Sequence, residues 1–419
     1  MSVFLYIFLF IVTFVLSYEK FKSVANIVSI FTGLWCFFGI ISNFGMYGMR
    51  VPAFRVHLYA YLFVCVVDFV ILLLCKTRNF ENVNLITEDK SSKNENYQTY
   101  ATFVQVVALL FLSPMIINSF KALLESGFVG IRNAYFSPEY ESRYLFSLLC
   151  KAMPTSFMTG LIVYYTYIGF ERLSWKFFGY AILNALVLTF VNGGRYALIQ
   201  VLLSSIVIAA MKRETASSDK EKFFKSAEKR VLVAIVLVMF VVTVFRKQEF
   251  IKNIVVYFSG SFSFLDYILD NSEKFGVSDH LSGYLTFGCI TEPIVLGLKV
   301  IGLTTMKTPS YLFNIVGQNF YDIGAESEII LFNNNTTVLY YFLRDFGVAG
   351  IVIGGVFLAW LLAYSHNKWR AGSEFYALIF VYIASVLLNS IMTYQLFGCG
   401  PFFTVVALYF CSKRAKTTR

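Results

Sequence analysis

The chain repeats one pattern along most of its length: apolar runs of about 16–22 residues that contain almost no charge. A run of this length is what an α-helix needs to cross a hydrocarbon core roughly 30 Å thick. Helices satisfy their own backbone hydrogen bonds, so they are the default element for crossing a bilayer. A transmembrane β-barrel would show short segments of alternating hydrophobicity instead. The sequence therefore predicts an all-α, polytopic integral membrane protein.

Composition and charge agree with a membrane protein. Hydrophobic residues make up 58% of the chain and charged residues only 14%, whereas a soluble domain carries about 25% charged residues. The formal net charge is +10, and the positive residues collect between the apolar runs. We interpret them as topology signals that face anionic lipid headgroups, and we expect no nucleic-acid partner. The seven cysteines lack a Cys-x-x-Cys spacing, which favours small buried hydrophobes over a disulfide framework or a metal site.

The apolar runs predict eleven spans. They lie at roughly 2–17, 25–42, 56–75, 101–118, 146–168, 175–191, 196–211, 231–245, 348–364, 375–391 and 393–411. The predicted organisation is therefore spans 1–8 within 1–245, one large outer loop at 246–347, and spans 9–11 with a basic tail within 348–419. A loop of this size is too long for a passive linker, so we expect it to pack over the bundle and to carry function.

Lysine and arginine residues indicate the orientation of the spans. The strongest basic block runs from Lys212 to Arg230 and should be cytoplasmic, because basic connections stay on that side. Counting alternately from there, every predicted inside connection is basic, as is the tail from Lys413 to Arg419. We therefore expect the N-terminus outside and the C-terminus inside. No Lys or Arg precedes the first apolar run, which indicates an uncleaved span and not a signal peptide.

The first group of residues suited to chemistry is the predicted outer turn Asn192-Gly193-Gly194-Arg195. The glycines let a ligand approach the backbone closely. Arg195 would lie at the outer start of a helix, where a guanidinium and free helix N–H groups bind phosphate or carboxylate. The alternative is an arginine that extends to the outer headgroups while the glycines only make the turn.

The second group ends the predicted loop and leads into the ninth span. Its polar and aromatic members are Asn334, Thr337, Tyr340, Tyr341, Arg344 and Asp345. The amide and hydroxyl groups suit sugar hydroxyls, and the two tyrosines are able to stack on a pyranose ring or to line the membrane interface. The alternative is an interfacial cap in which the aspartate favours a helix N-terminus electrostatically.

Taken together, these features resemble the O-antigen polymerase family, the Wzy-type oligosaccharide repeat-unit polymerases. The resemblance covers roughly residues 120–410 and depends on the order of three short elements within the predicted topology. They are the turn Gly193-Gly194-Arg195; the stretch with Tyr257, Ser259, Gly260 and Asp266; and the closing element with Asn334, Thr337, Asp345, Phe346, Gly347 and Gly350. One departure is that Leu343 and Arg344 stand where an aromatic residue is common in the family.

The resemblance implies an enzyme of the multispanning, GT-C-like glycosyltransferase class in the bacterial inner membrane. Such enzymes move a growing oligosaccharide from undecaprenyl pyrophosphate onto the sugar end of a new lipid-linked repeat unit, at the periplasmic face. The product is O-antigen or capsular polysaccharide. The resemblance further implies no nucleotide sugar, no metal and no other cofactor. Expected partners are the two lipid-linked oligosaccharides, membrane lipids and a chain-length regulator protein.

The predicted chemistry divides the charged residues between two roles. Two pyrophosphate-bearing lipids must be held at the membrane surface, which calls for outer arginines: Arg195 first, then Arg344 and Arg143. The acceptor hydroxyl needs a base, and the outer candidates are His280, Asp345 and Asp266. His280 follows Asp279 in the sequence, and its alternative reading is an ordinary surface histidine.

Two other functions remain open at this stage. An O-antigen ligase, which transfers the finished glycan to the lipid A core, shares the architecture and differs in its acceptor. A lipid-linked oligosaccharide flippase or other transporter belongs to another class, and it would be expected to show more spans, an internal repeat and charges lining a central cavity. The dominant outer loop argues against the transporter.

Overall fold

A computed structural model describes residues 1–76, 97–135, 144–172, 174–214, 233, 250–317, 319–325, 329–332 and 335–413 of the chain. These residues are predominantly helical. The strands between 1 and 413 that are described consist of one antiparallel pair, β1 (Tyr321–Asp322) and β2 (Leu331–Phe332). The predicted span 231–245, apart from Val233, lies outside the described residues, as do Arg143 and Asn334.

Most helices follow the predicted apolar runs, but the helix Tyr97–Tyr135 extends well beyond the span predicted at 101–118, and a π-helical turn at Leu148–Ala152 interrupts the span predicted at 146–168. In chain order they are α1 (Ser2–Phe21), α2 (Ile27–Ser42), α3 (Phe54–Leu74), α4 (Tyr97–Tyr135), α5 (Tyr144–Ser147), α6 (Met153–Arg172), α7 (Trp175–Asn192), α8 (Tyr196–Arg213), α9 (Phe250–Asp270), α10 (Gly288–Val300), α11 (Pro309–Gly317), α12 (Thr337–Phe346), α13 (Val348–Arg370), α14 (Glu374–Asn389) and α15 (Gly400–Ser412). Helix α4 is broken at Gly127, where the backbone leaves helical geometry.

Six of these helices are long and apolar enough to cross a membrane. They are α1, α3, Tyr100–Gly127 of α4, α7, α8 and α13. Helices α2, α14 and α15 are apolar but shorter, and α6 carries a more polar sequence rich in tyrosine and threonine. The protein is therefore an all-α protein embedded in a membrane, as the sequence predicts.

The last helix begins later than the apolar pattern predicts. The predicted span starts at residue 393, whereas α15 starts at Gly400, because a 3₁₀ turn at Gln395–Phe397 precedes it. Pro401 then occupies the first turn of the helix, where the missing N–H costs nothing. Hydropathy reports apolar character but not backbone geometry, so the predicted span includes the 3₁₀ turn as well as the helix.

The described chain forms two compact units. The first contains Met1–Leu74, Ala209–Ala363 and Ile383–Cys399, and the second contains Cys75–Ile208, Tyr364–Tyr382 and Gly400–Arg419. In the second unit α6 packs against α7 and α15. Gly160 allows the close approach to α15, since a Cβ there would lie 2.9 Å from the Ala407 Cβ atom. Gln105 links two helices of this unit, accepting from the Tyr165 hydroxyl (3.0 Å) and donating to Asn184 (3.2 Å).

Aromatic rings fill the core of the first unit. The Trp35 ring lies 5.2 Å from that of Phe63 and 5.8 Å from that of Phe262, and Phe63 lies 6.0 Å from Phe342. Phe262 and Phe342 belong to the predicted outer loop, so this loop is packed into the unit through a shared core. Buried Asp68 accepts from the Thr32 hydroxyl at 2.6 Å, which ties α3 to α2.

All seven cysteines are free thiols. Four of them, at positions 36, 75, 399 and 411, are buried. These four act as small hydrophobic side chains.

Candidate functional site

The site is built around α12, the short helix that joins the predicted loop to α13. Every side chain from Thr337 to Asp345 is buried. The first amides of the helix, on Thr337 and Val338, donate to the Met392 (3.1 Å) and Ser390 (2.8 Å) carbonyls. Thr337 has a φ of 55°, which is an unusual conformation for a β-branched residue. The start of α12 is therefore fixed by protein contacts, and Thr337 lies in the interior.

Tyr340 and Tyr341 are parts of this core. The Tyr340 hydroxyl donates to the Phe275 carbonyl at 3.1 Å, and burial raises the pKa of Tyr340 to about 12. The Tyr341 ring stacks on Phe313 with centroids 5.3 Å apart. Neither ring is exposed, so in this conformation both tyrosines hold α12 in place and do not present a face to a sugar.

Arg344 is a buried cation, with only 8% of its surface exposed. Its Nη1 donates to the Tyr340 hydroxyl oxygen (2.8 Å) and to the Leu312 carbonyl (3.3 Å). Its buried Nε has no hydrogen-bond partner within the described part of the chain, where the ion pairs do not include Arg344 either. A buried charge is costly unless it is compensated. The two hydrogen bonds and the Tyr340 ring, whose centroid is 5.8 Å from the guanidinium carbon, stabilise this cation, and its Nε is left to donate to an anion.

The Asp345 side chain has other hydrogen-bond partners than the Arg344 side chain. Its carboxylate accepts hydrogen bonds from the backbone amides of Leu285 (3.1 Å) and Thr286. The carbonyls of Arg344 and Asp345 accept from the Leu281 (3.2 Å) and Ser282 (3.1 Å) amides. Burial raises the pKa of Asp345, and the hydrogen bonds from segment 285–286 partly offset that effect. The carboxylate therefore holds segment 281–286 against the end of α12.

Gly347 and Gly350 of the closing element are each required to be glycine, for different steric reasons. Gly347 has a φ of 59° and a ψ of −147°, a region that is essentially closed to residues with a side chain. Gly350 lies against α12, and a Cβ there would be 2.0 Å from the Phe342 carbonyl oxygen. The chain can thus turn from α12 into α13 only with glycine at both positions.

His280 is exposed and lies beside this junction. Its ring Cε1 atom is 3.4 Å from the position that a Cβ of Gly347 would occupy. The next residue, Leu281, is anchored to the end of α12. Of the three predicted bases, Asp266 and Asp345 are buried, whereas His280 is open to a ligand.

Asp266 is held by an ion-pair network that sequence reasoning missed. Arg50 and Arg55 each approach it at 3.3 Å, and the Ala53 amide donates to it at 3.2 Å. Asp270 pairs with the same arginines, at 2.6 Å from Arg50, and the hydrogen bond from Arg50 holds its pKa below the ordinary range. The signal was present: both arginines lie in a predicted outside connection, against the inside preference of basic residues.

The two loop elements that carry the family resemblance pack together in the first unit. Helix α9, with Ser259, Gly260 and Asp266, packs against α12. Gly260 fits closely against β2, since a Cβ there would lie 2.9 Å from the Phe332 ring. Tyr257 also contacts this ring, with centroids 6.4 Å apart. Residues that are about 80 positions apart thus form one structural neighbourhood.

Glu292 is a second buried carboxyl group that the sequence did not single out. It lies on α10, where it accepts from the Ser310 hydroxyl (2.7 Å) and amide (3.3 Å). Burial raises its pKa to about 7. Its neighbours in the sequence, Cys289 to Leu296, are mostly apolar, and a lone carboxylate within such a pattern is the signal that could have identified it.

Arg195 belongs to the second unit. Gly193 ends α7 with a φ of 62°, and the Gly194 amide donates to the Asn192 side chain at 2.7 Å. The Arg195 carbonyl accepts from the Leu198 (3.0 Å) and Ile199 (3.1 Å) amides. Arg195 therefore stands immediately before the first turn of α8, at the start of a helix as the sequence predicts, and its side chain is half-buried.

No protein-family model, curated protein or solved structure matches this chain. The class that the fold defines is that of a polytopic, all-α membrane protein.

Proposed function

We propose that this protein is an oligosaccharide repeat-unit polymerase of the bacterial inner membrane. It transfers a growing glycan from undecaprenyl pyrophosphate to the sugar end of a second lipid-linked repeat unit, and so makes O-antigen or capsular polysaccharide. The single observation that carries the proposal is the packing of the two loop elements of the resemblance, around Asp266 and around Asp345, into one neighbourhood.

The proposal includes an architecture that goes beyond the six long apolar helices. It assigns eleven spans in a GT-C-like arrangement, with a periplasmic N-terminus and a cytoplasmic C-terminus. Segment 246–347 then lies on the periplasmic side. Its support is that α9, α12 and the start of α13 fold together with the residues that precede α3. Both α3 and α13 would enter the membrane from that side.

The chemistry is a substitution at the anomeric carbon of the donor. The acceptor hydroxyl oxygen bonds to that carbon, the bond between carbon and pyrophosphate oxygen breaks, and undecaprenyl pyrophosphate departs with the electron pair. The hydroxyl proton passes to His280, which is the exposed member of the three candidate bases. Asp345 positions the junction through its two amide contacts.

Arginines supply the positive charge that a leaving pyrophosphate requires. Arg344 contributes a guanidinium whose Nε has no hydrogen-bond partner among the described residues. Arg195, at the start of α8, is proposed separately to bind a phosphate group, and the helix N-terminus adds to the attraction. The assignment of each arginine is tested by its own variant.

A glycan gel of a deletion strain, complemented with single variants, tests this proposal. We expect Arg195→Ala and Arg344→Ala to leave one repeat unit on the lipid A core at normal protein level. The matched control is Arg213→Ala, which changes the same residue type at the opposite end of α8 and should leave the ladder intact. Long chains that remain on the carrier would identify a ligase, and lipid-linked units confined to the inner leaflet would identify a flippase.

A further inference from the structure

One face of α10 is apolar and uncovered. Ile290, Ile294 and Leu298 follow one another at a spacing of four residues, and they are 56%, 57% and 36% exposed. The opposite face, with Glu292 and Val295, is buried in the first unit. A helix with this division has an apolar stripe that something other than the described chain must cover.

The apolar surface continues beyond the end of the helix. Ile301, Leu303 and Met306 are each more than half exposed. Together with the stripe on α10 they form a run of large apolar side chains within the predicted outer loop. Contiguous apolar surface of this kind marks a site of interaction with a partner or a membrane.

The position of α10 identifies the bilayer as the partner. Phe287, just before the helix, packs edge-on against Phe357 of α13, with ring centroids 5.0 Å apart. Phe357 belongs to the first half of α13, so α10 starts beside an apolar span. The uncovered face of that span, with Val352 and Val356, therefore lies on a helix in direct contact with this segment.

Charged side chains next to the apolar stripe also fit a lipid surface. Lys307 is exposed, and its ammonium lies 5.5 Å from the centroid of the Tyr311 ring. Lys299 lies near the end of α10. Lysine and tyrosine residues beside an apolar face are typical of helices that lie in the headgroup region of a membrane.

We propose that segment 287–311 is an interfacial membrane element, with Ile290, Ile294 and Leu298 inserted among lipid acyl chains. Part of the predicted outer loop thus lies in the bilayer surface beside α13. This inference is independent of the enzymatic proposal, because it depends only on exposure and on the contact with a membrane span.

The interfacial element is connected to the Arg344 cluster through α11. Glu292 of α10 accepts from Ser310 of α11. The next turn of α11 offers the Leu312 carbonyl to Arg344 and the Phe313 ring to Tyr341. Lipid contact along α10 would therefore fix the depth of the Arg344 guanidinium relative to the phospholipid headgroups.

Photocrosslinking in the intact protein tests the lipid contact. The full chain carries p-benzoylphenylalanine in place of Ile294 and is reconstituted into vesicles of phosphatidylethanolamine and phosphatidylglycerol; lipid adducts are then measured by mass spectrometry. Phe69, which is exposed on the span α3, is the positive control. Glu273, which is exposed in the same loop after α9, is the aqueous control.

We expect lipid adducts at positions 294 and 69, and at least tenfold fewer at position 273. The same substitution at Leu298 provides a second test if the variant at 294 does not fold. Adducts at position 69 without adducts at 294 and 298 would overturn the proposal. Crosslinks from 294 to a second protein chain in place of lipid would also overturn it, because they would identify a protein interface.

Discussion

Replacement of Asp345 tests whether this carboxylate is mainly a structural anchor. In the native structure it accepts from two buried backbone amides, those of Leu285 and Thr286. Asp345→Ala leaves both donors without a partner in the interior. A buried unsatisfied amide costs about 1–3 kcal/mol, so the variant should lose about 2–6 kcal/mol of stability.

Asp345→Asn separates the hydrogen bonds from the charge. Its amide oxygen is able to accept one of the two N–H groups, while its NH₂ faces the other, so we expect a loss of about 1–3 kcal/mol. The assay is thermal unfolding of the purified protein in detergent, and the measured quantity is the melting temperature. Asp279→Asn is the matched control, since Asp279 is exposed, and it should change stability by less than about 0.5 kcal/mol.

The order of the variants decides the interpretation. If Asp345 is an anchor, the melting temperature should be highest for the wild type, lower for Asp345→Asn and lowest for Asp345→Ala. The glycan ladder should shorten in the same order. A variant that keeps the full melting temperature and loses all chain extension would refute the reasoning. Asp345 would then act directly in the reaction.

Three further sets of substitutions follow from the same structure. Gly350→Ala places a methyl group on the backbone of α12, so we expect a lower melting temperature and loss of the ladder, whereas Ala349→Gly should cost at most about 1 kcal/mol. Arg50→Ala and Arg55→Ala should each cost less than about 1 kcal/mol of stability, because both side chains are half-exposed. The double variant leaves the buried Asp266 carboxylate without either arginine, so it should lose about 3–5 kcal/mol. A double variant whose loss in denaturation experiments equals the sum of the two single losses would contradict this. Glu292 has a raised pKa of about 7 against an ordinary value of 4.5, so its contribution to stability is fully present below pH 4.5 and is lost as the pH rises through 7. The melting temperature of Glu292→Gln should therefore rise relative to that of the wild type between pH 5 and pH 8. A difference in melting temperature that stays constant over this range would contradict the raised pKa of Glu292.

The membrane helices could be predicted because bilayer thickness sets one length scale along the chain. The boundaries of α3, α7 and α8 follow the apolar runs within a few residues. The turn before α8 was predictable for a local reason, since two consecutive glycines followed by Arg195 specify a tight connection. Such features depend on neighbouring residues only.

Features that depend on distant contacts could not be predicted in the same way. Arg50 meets Asp266 across more than 200 positions, and no local pattern encodes that pairing. Burial of Tyr340 and Tyr341 was missed because aromatic residues near a span suit an interface and a core equally well. The stripe on α10 was missed because its apolar residues match an ordinary buried helix until the uncovered face is known.

Reconstitution with defined substrates tests the central claim most directly. Purified protein in vesicles is supplied only with undecaprenyl-pyrophosphate-linked repeat units, and the products are resolved by length. Polymerisation predicts a ladder of lipid-linked glycans, with one undecaprenyl pyrophosphate released for each new linkage and no ladder from Arg344→Ala. Intact single repeat units with wild-type protein, under conditions where the fold is verified, would contradict the assignment as a polymerase.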